Sequence, residues 1–212
     1  MMPNTSQRDS AYEALKHRII TLVYRPGSYL NESMIGEDLE FGKTPIRQAI
    51  DRLRLEGMLD VMPRKGVIVR PISFEEVSQI ASVRIVLEGY CVEQAAEKIS
   101  ADDLDTLLDV INQTKEVALK QDSIGLMSLD REFHHLVSTA SNNQVLVPLI
   151  TGLLERSLRF WFISLSKPEH VAKTIDEHFE IYEALKKRDP ARAKAAAEHH
   201  IRSFLKSISS DV

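Results

Sequence analysis

The sequence predicts a mainly α-helical protein in two parts. These are an N-terminal winged helix-turn-helix over residues 1–72 and an all-helical bundle of about six helices over residues 73–212. Three observations carry this. Apolar residues recur at helical spacing along most of the chain. The period shortens to strand alternation only between Met58 and Pro71, and beyond Pro71-Ile72 long helical patterns return with sharp caps.

The first helix is expected over residues 9–23, where Ala11, Leu15, Ile19 and Leu22 share a face before the turn residues Arg25-Pro26-Gly27. A short second helix follows over 32–39, with Met34, Ile35 and Leu39 on one side, and Glu40-Phe41-Gly42 breaks it. The third spans 44–56; Pro45 is tolerated in its first turn because that amide has no partner within the helix, and Gly57 closes its far end. Leu59 and Val61, then Val67 and Val69, flank Pro63-Arg64-Lys65-Gly66 and read as a small basic hairpin. In the second part Ser73-Phe74-Glu75-Glu76 and Ser100-Ala101-Asp102-Asp103 are capping-box signals. Helices are expected near 74–98, 101–120, 123–140, 143–164, 168–187 and 190–208.

Composition narrows the function classes. With 43% apolar and 27% charged residues and no run of about eighteen apolar residues, the chain predicts no membrane span, and Met1 to Asp9 lack the pattern of a secretory leader. A cytoplasmic protein is expected. Cys91 is the only cysteine, which excludes an intrachain disulfide and a multi-thiolate metal site; its apolar neighbours predict a packed thiol. The net charge of −4 is unevenly spread. Residues 43–70 hold seven Lys and Arg against three Asp and Glu, whereas residues 73–212 hold sixteen against twenty-two. Only the first part is suited to meet phosphate.

A helix in the DNA major groove reads base edges chiefly with residues at its amino end. Lys43 and Thr44 open the third helix and Arg47 follows one turn later, while Arg64, Lys65 and Gly66 form the tip of the wing, placed for an adjacent groove or phosphate. Taken singly these are ordinary solvated charges. Their order along three helices and a hairpin points to double-stranded DNA as the partner, and to a transcription regulator.

The bundle carries a second constellation. Leu126, Leu129, Phe133 and Val137 make an apolar stripe that Asp130 and His134 join at i,i+4 spacing. His178 falls among Ile175, Tyr182 and Leu185, and His200 among Ala197, Ile201 and Phe204. An inward carboxylate with three inward imidazoles needs a closed hydrogen-bond network or a cation. A divalent metal such as Zn, Ni, Mn or Fe suits that donor set and keeps positions open for water or an oxygen ligand. His17, His135, His170 and His199 are expected to take no part. Asn143, Arg156 and Arg159 are further pocket candidates. A metal-dependent hydrolase is the rival reading, but Glu132 and Glu177 adjoin the ligands and are expected to face outward, which leaves no acid or base on the stripe. A regulator that senses the metal itself is a third.

Gly27-Ser28-Tyr29-Leu30, Lys43-Thr44-Pro45-Ile46-Arg47-Gln48-Ala49-Ile50, Leu53, Glu56-Gly57 and Pro63-Arg64-Lys65-Gly66 resemble the DNA-binding domain of GntR-family bacterial regulators. Members usually carry Gly and Ser where this chain has Glu40 and Gly42, and often Arg where it has Lys43. Residues 73–208 resemble the FCD domain of the FadR-like branch. Asp130, His134, His178 and His200 match that family's ligand pattern within Asp-Arg-Glu-Phe-His, Asp-Glu-His and His-His-Ile, and six helices instead of seven resemble the VanR-like group. The resemblance implies a metal that helps hold a small carboxylate effector, and a homodimer on an inverted-repeat operator, more often repressing than activating. Arg84 and Glu88 match the opening helix of that domain, so Arg84 either grips the effector or forms a surface pair with Glu88.

Overall fold

The structure is a computed structural model that describes residues 6–62, 66–71, 73–165 and 167–209, the side chain of Ser209 excepted. Its contacts divide the chain into two compact units, residues 1–72 and 73–212.

The first unit contains α1 (Gln7–Ile20), β1 (Tyr29–Leu30), α2 (Glu32–Leu39), α3 (Lys43–Leu55), β2 (Leu59–Met62) and β3 (Gly66–Val69). Each helix begins where its sequence supplies a start. Ser6 accepts the Asp9 amide before α1, and Asn31 accepts the Met34 amide before α2. The α2–α3 turn places Glu40 at φ 58°, and a Cβ at Gly36 would lie 2.9 Å from the Phe41 carbonyl oxygen, so glycine permits the tight return. The strands form an antiparallel sheet in the order β1-β3-β2, with Val61 opposite Val67 and Tyr29 opposite Ile68. The two-residue β1 is a strand the sequence reading did not anticipate, because two residues carry no measurable alternation. Leu15, Ile19, Ile35, Ile46, Leu53, Met58 and Val69 close the core without exposure, whereas Met34, expected on the packed side of α2, is 41% exposed.

The second unit contains α4 (Phe74–Lys98), α5 (Ala101–Leu119), α6 (Ser123–Ala140), α7 (Leu146–Ser164), α8 (Pro168–Lys186) and α9 (Pro190–Ser209). The Ser100/Asp103 capping box forms in full before α5. Before α4 only half of one forms: Ser73 accepts the Glu76 amide, but the Glu76 carboxylate pairs with Arg156 at 2.6 Å. Helix α7 starts three residues later than expected because the Asn143 side chain accepts the Val145 and Leu146 amides and ends the preceding turn. Helix α4 packs against α9, α8, α6 and α7. Gly89 allows the α4–α9 approach; a Cβ there would meet the Glu198 side chain at 3.3 Å. Leu126, Phe133, Val137, Ile175, Ile181, Tyr182, Ala197 and Ile201 are buried, so the stripes read from the sequence face the interior. Cys91 is packed as well, and burial raises the pKa of its thiol.

Candidate functional site

In the first unit, Ile46, Ala49, Ile50 and Leu53 bury one face of α3, which turns Lys43, Thr44, Arg47 and Gln48 to the exposed face. Gly42 precedes the helix with no side-chain cap, so the opening amides of α3 remain available to an anion. Arg47 is held at its root: its Nε donates to Glu32 Oε2 at 2.6 Å from the start of α2. Arg52 turns the other way, with its guanidinium 3.5 Å from the Tyr12 ring centroid and its Nε donating to Glu56 at 3.2 Å. It braces α3 on α1. Arg64 and Lys65 lie outside the described residues. Gly66 stands at φ 100°, and a Cβ there would lie 2.5 Å from the Leu30 carbonyl oxygen, so its role in the wing is to let β3 meet β1.

In the second unit, α6 contributes Asp130 and His134, α8 contributes His178, and α9 contributes His200; all four are buried. One ring nitrogen from each of the three histidines lies within 4.8 Å of the others. Asp130 Oδ1 is 3.8 Å from His178 Nε2 and 4.0 Å from His134 Nε2, so the carboxylate belongs to the same cluster. The ring orientations are set from behind. His200 Nδ1 lies 2.9 Å from Glu177 Oε2, and His134 Nδ1 lies 3.3 Å from Glu88 Oε2. A carboxylate only accepts, so each Nδ1 donates, and in the neutral ring this tautomer leaves the lone pair on Nε2. Phe133 stacks flat on His178, with centroids 3.8 Å apart and planes inclined by 6°.

The electrostatics of the cluster fit a cation. Burial, with the nearby His200, His134 and Arg84, pushes the pKa of His178 well below its ordinary value, so this ring is neutral and able to ligate. Its Nε2 is buried without a hydrogen-bond partner among the described residues. Burial raises the Glu88 carboxyl, but the charge of Arg84 and the hydrogen bond with His134 outweigh it and hold the pKa well below the carboxylate range. For Glu177, hydrogen bonds from His200 and Ser203 likewise outweigh burial and lower the pKa. Metal-ligand bonds of about 2.0–2.2 Å require donors spaced nearly as these are, and a buried imidazole nitrogen with no partner is what a metal ligand looks like without its ion.

Two expectations change here. Glu177 is buried and faces inward, where it orients His200 from the side away from the cluster; Glu132 is exposed, as expected. Arg84 and Glu88 do form a helix pair, with Arg84 Nε donating to Glu88 Oε1 at 2.5 Å, but the pair is buried and not on the surface. Arg84 also lines a cavity of about 20 Å³ together with Asp130, His134, Trp161, Thr174 and His200. Asn143 is placed at the cap of α7 and is not brought to this lining, and Arg156 is engaged with Glu76. The Glu177 role was missed because that residue sits one position before His178, where helical phase alone points it away.

Residues 7–69 match the bacterial regulatory proteins of the gntR family, and residues 79–203 match the FCD domain. The chain belongs to the GntR family and carries its FCD domain. Among curated relatives of this GntR-family chain, the HTH-type transcriptional repressor RspR of Escherichia coli K12 is 23% identical, over 97% of this chain and 90% of RspR. The HTH-type transcriptional regulator YdhC of Bacillus subtilis is 28% identical, over 90% of this chain and 84% of YdhC. The solved structure of E. coli McbR/YncC superposes with a TM-score of 0.87 at 22% identity, over 97% of this chain and 98% of that one, and shows the shared fold. Family and relatives make this GntR-family protein a DNA-binding transcription regulator. Among its described residues no helix is long and apolar enough to cross a membrane.

Proposed function

We propose that this GntR-family regulator is a cytoplasmic, homodimeric repressor of the VanR-like group whose operator affinity is set by a small carboxylate bound beside a divalent metal. Residues 1–72 read an inverted-repeat operator, with Lys43, Thr44 and Arg47 at the base edges and Arg64, Lys65 and Gly66 in the wing. Residues 73–212 hold the metal, the effector and the dimer contact. One observation carries the reading: His134, His178 and His200, from three helices, converge with Asp130 in a buried cluster whose His178 Nε2 has no partner among the described residues.

Asp130, His134, His178 and His200 would hold the ion, and when bound it supplies a positive centre for an anionic oxygen. The rest is the work of the chain. Glu88 and Glu177 keep the imidazoles in the ligating tautomer, and Arg84 brings a guanidinium to the cavity wall. The cavity has room for about one water. An organic acid therefore enters only by separating helices that line it, which links occupancy to the shape of the bundle. For the dimer, Val83, Val86 and Tyr90 share an exposed face of α4, and Val145 and Leu149 are exposed at the start of the neighbouring α7.

The test is operator affinity of the full-length protein as purified, after chelation and after metal is restored, each with and without a panel of short organic acids. A shift on adding an acid, seen only with metal present, supports the reading. No shift with any acid overturns effector control. The small cavity favours a second reading, in which the ion itself is the signal; affinity that follows metal alone would select it.

A further inference from the structure

The ion pair that joins α7 to the start of α4 interrupts a helix cap. Ser73-Phe74-Glu75-Glu76 has the residues of a capping box, in which the carboxylate of the third helical residue accepts the amide of the cap residue. Ser100 and Asp103 show the finished arrangement in this chain, with Asp103 Oδ2 3.4 Å from the Ser100 amide nitrogen. At α4, Ser73 Oγ accepts the Glu76 amide at 3.1 Å, but Glu76 Oε1 accepts from Arg156 Nη2 at 2.6 Å. Arg156 Nε is buried with no hydrogen-bond partner among the described residues, so the guanidinium is held at one end only. The two ends of this contact have different attachments. Arg156 lies on α7 between Leu154 and Ser157, which line the cavity at the histidine cluster. Ser73 directly follows residue 72, where the first unit ends.

We infer that Glu76 is a two-position switch at the start of α4: its carboxylate either pairs with Arg156, as it does here, or caps the Ser73 amide, and a displacement of α7 chooses between them. In the first position α4 begins tied to a helix that lines the cavity. In the second it is released from α7, and the amide next to the first unit is fixed instead. A partly exposed ion pair and a capping hydrogen bond are similar in strength, so a small movement of α7 is enough to exchange them. Such an element couples two sites because both bias one equilibrium. The inference rests on the effector reading above for the signal that moves α7, and adds the residues that pass it toward the operator-reading unit.

The test uses the full-length, metal-loaded protein with no acid added. Arg156→Met removes the competing partner, and Glu76→Asp shortens the carboxylate to the length that caps at Asp103. Both are expected to favour the cap. Each should slow hydrogen exchange at the Ser73 amide by at least about fivefold and shift operator affinity by a like factor in one common direction, with metal content unchanged. The exchanged pair, Glu76→Arg with Arg156→Glu, rebuilds the tie but leaves no acceptor for the amide, so both readings should return to within about twofold of the unaltered protein. An ion pair that is merely structural would lower the melting temperature of the single variants and leave their operator affinity alone, which overturns the switch. Unchanged exchange at Ser73 in both single variants overturns it too, as do affinity shifts in opposite directions. Variant shifts in a protein whose operator affinity ignores both metal and every acid of the panel would keep the switch and overturn the effector reading. A response to an acid that survives undiminished in both single variants would keep the effector reading and overturn the switch.

Discussion

Glu177 Oε2 stands 2.9 Å from His200 Nδ1, and both side chains are buried. This contact fixes which nitrogen of His200 faces the cluster, and it predicts that the carboxylate matters to metal affinity without touching the ion. Glu177→Ala is expected to weaken metal binding by about 10- to 100-fold, the usual cost of losing such a partner. Competition against a chromophoric chelator reads this directly. Unchanged affinity would mean that His200 is held in place without Glu177.

A comparable contact governs the proposed DNA-reading face. Glu32 occupies Nε of Arg47 at 2.6 Å, so in the proposed contact the terminal amino groups of the guanidinium are the ones left to pair with guanine. Arg47→Ala is expected to weaken operator binding by about 1–3 kcal/mol with metal content unchanged. Glu32→Ala should do something different: general affinity for DNA holds or rises as a negative charge is removed, while preference for the correct base falls. Titrations against operators varied one base at a time separate the two effects.

The helical framework was legible in the sequence because its information is periodic. Leu126, Leu129, Phe133 and Val137 repeat at the interval of a helix, and the residues on that phase, Asp130 and His134, are buried with them. Local capping chemistry was readable where one residue decides it, as at Ser100, and misread where a distant one intervenes. Glu76 leaves its own helix cap for Arg156, a residue 80 positions away. Glu177 escaped for a similar reason: an adjacent helix, α9, brings His200 within reach of a side chain that its own helical phase points away. Tertiary partners of this kind leave no mark on the periodicity of either segment.

Gly66 is expected to tolerate no side chain. Its φ of 100° is costly for any other residue, and a Cβ would press on the Leu30 carbonyl at 2.5 Å. Gly66→Ala should therefore destabilise the first unit by about 1–3 kcal/mol and loosen the pairing of β1 with β3. Thermal melting of the full chain, with hydrogen exchange at Leu30 and Val67, checks it. Unchanged protection at both amides would count against the steric argument.

In the dimer proposed above, the exposed apolar face of α4 meets a second copy of the chain. Val86 is 68% exposed and lies between Val83 and Tyr90 on that face. Val86→Glu is expected to yield a monomer by light scattering and to lower operator affinity, since two reading heads bound together gain from effective concentration. A substitution that leaves the mass and the affinity unchanged would place the dimer contact elsewhere.

The Arg84–Glu88 pair is expected to behave as a unit. Both side chains are buried, at 4% and 7% exposed, and Glu88 also holds His134 Nδ1 at 3.3 Å. Removing the guanidinium alone, as in Arg84→Met, leaves a buried carboxylate with its main positive partner gone, a change that typically costs about 3–5 kcal/mol. The carboxylate that holds His134 Nδ1 is then itself disturbed, so metal affinity should fall together with stability. Replacing both residues, Arg84→Met with Glu88→Leu, removes the uncompensated charge and should recover most of the stability. It cannot recover the orientation of His134. The double variant is therefore expected to melt close to the unaltered protein while remaining weaker in metal binding. Full recovery of metal affinity in that variant would show that Glu88 stabilises the helix pair without positioning the ligand.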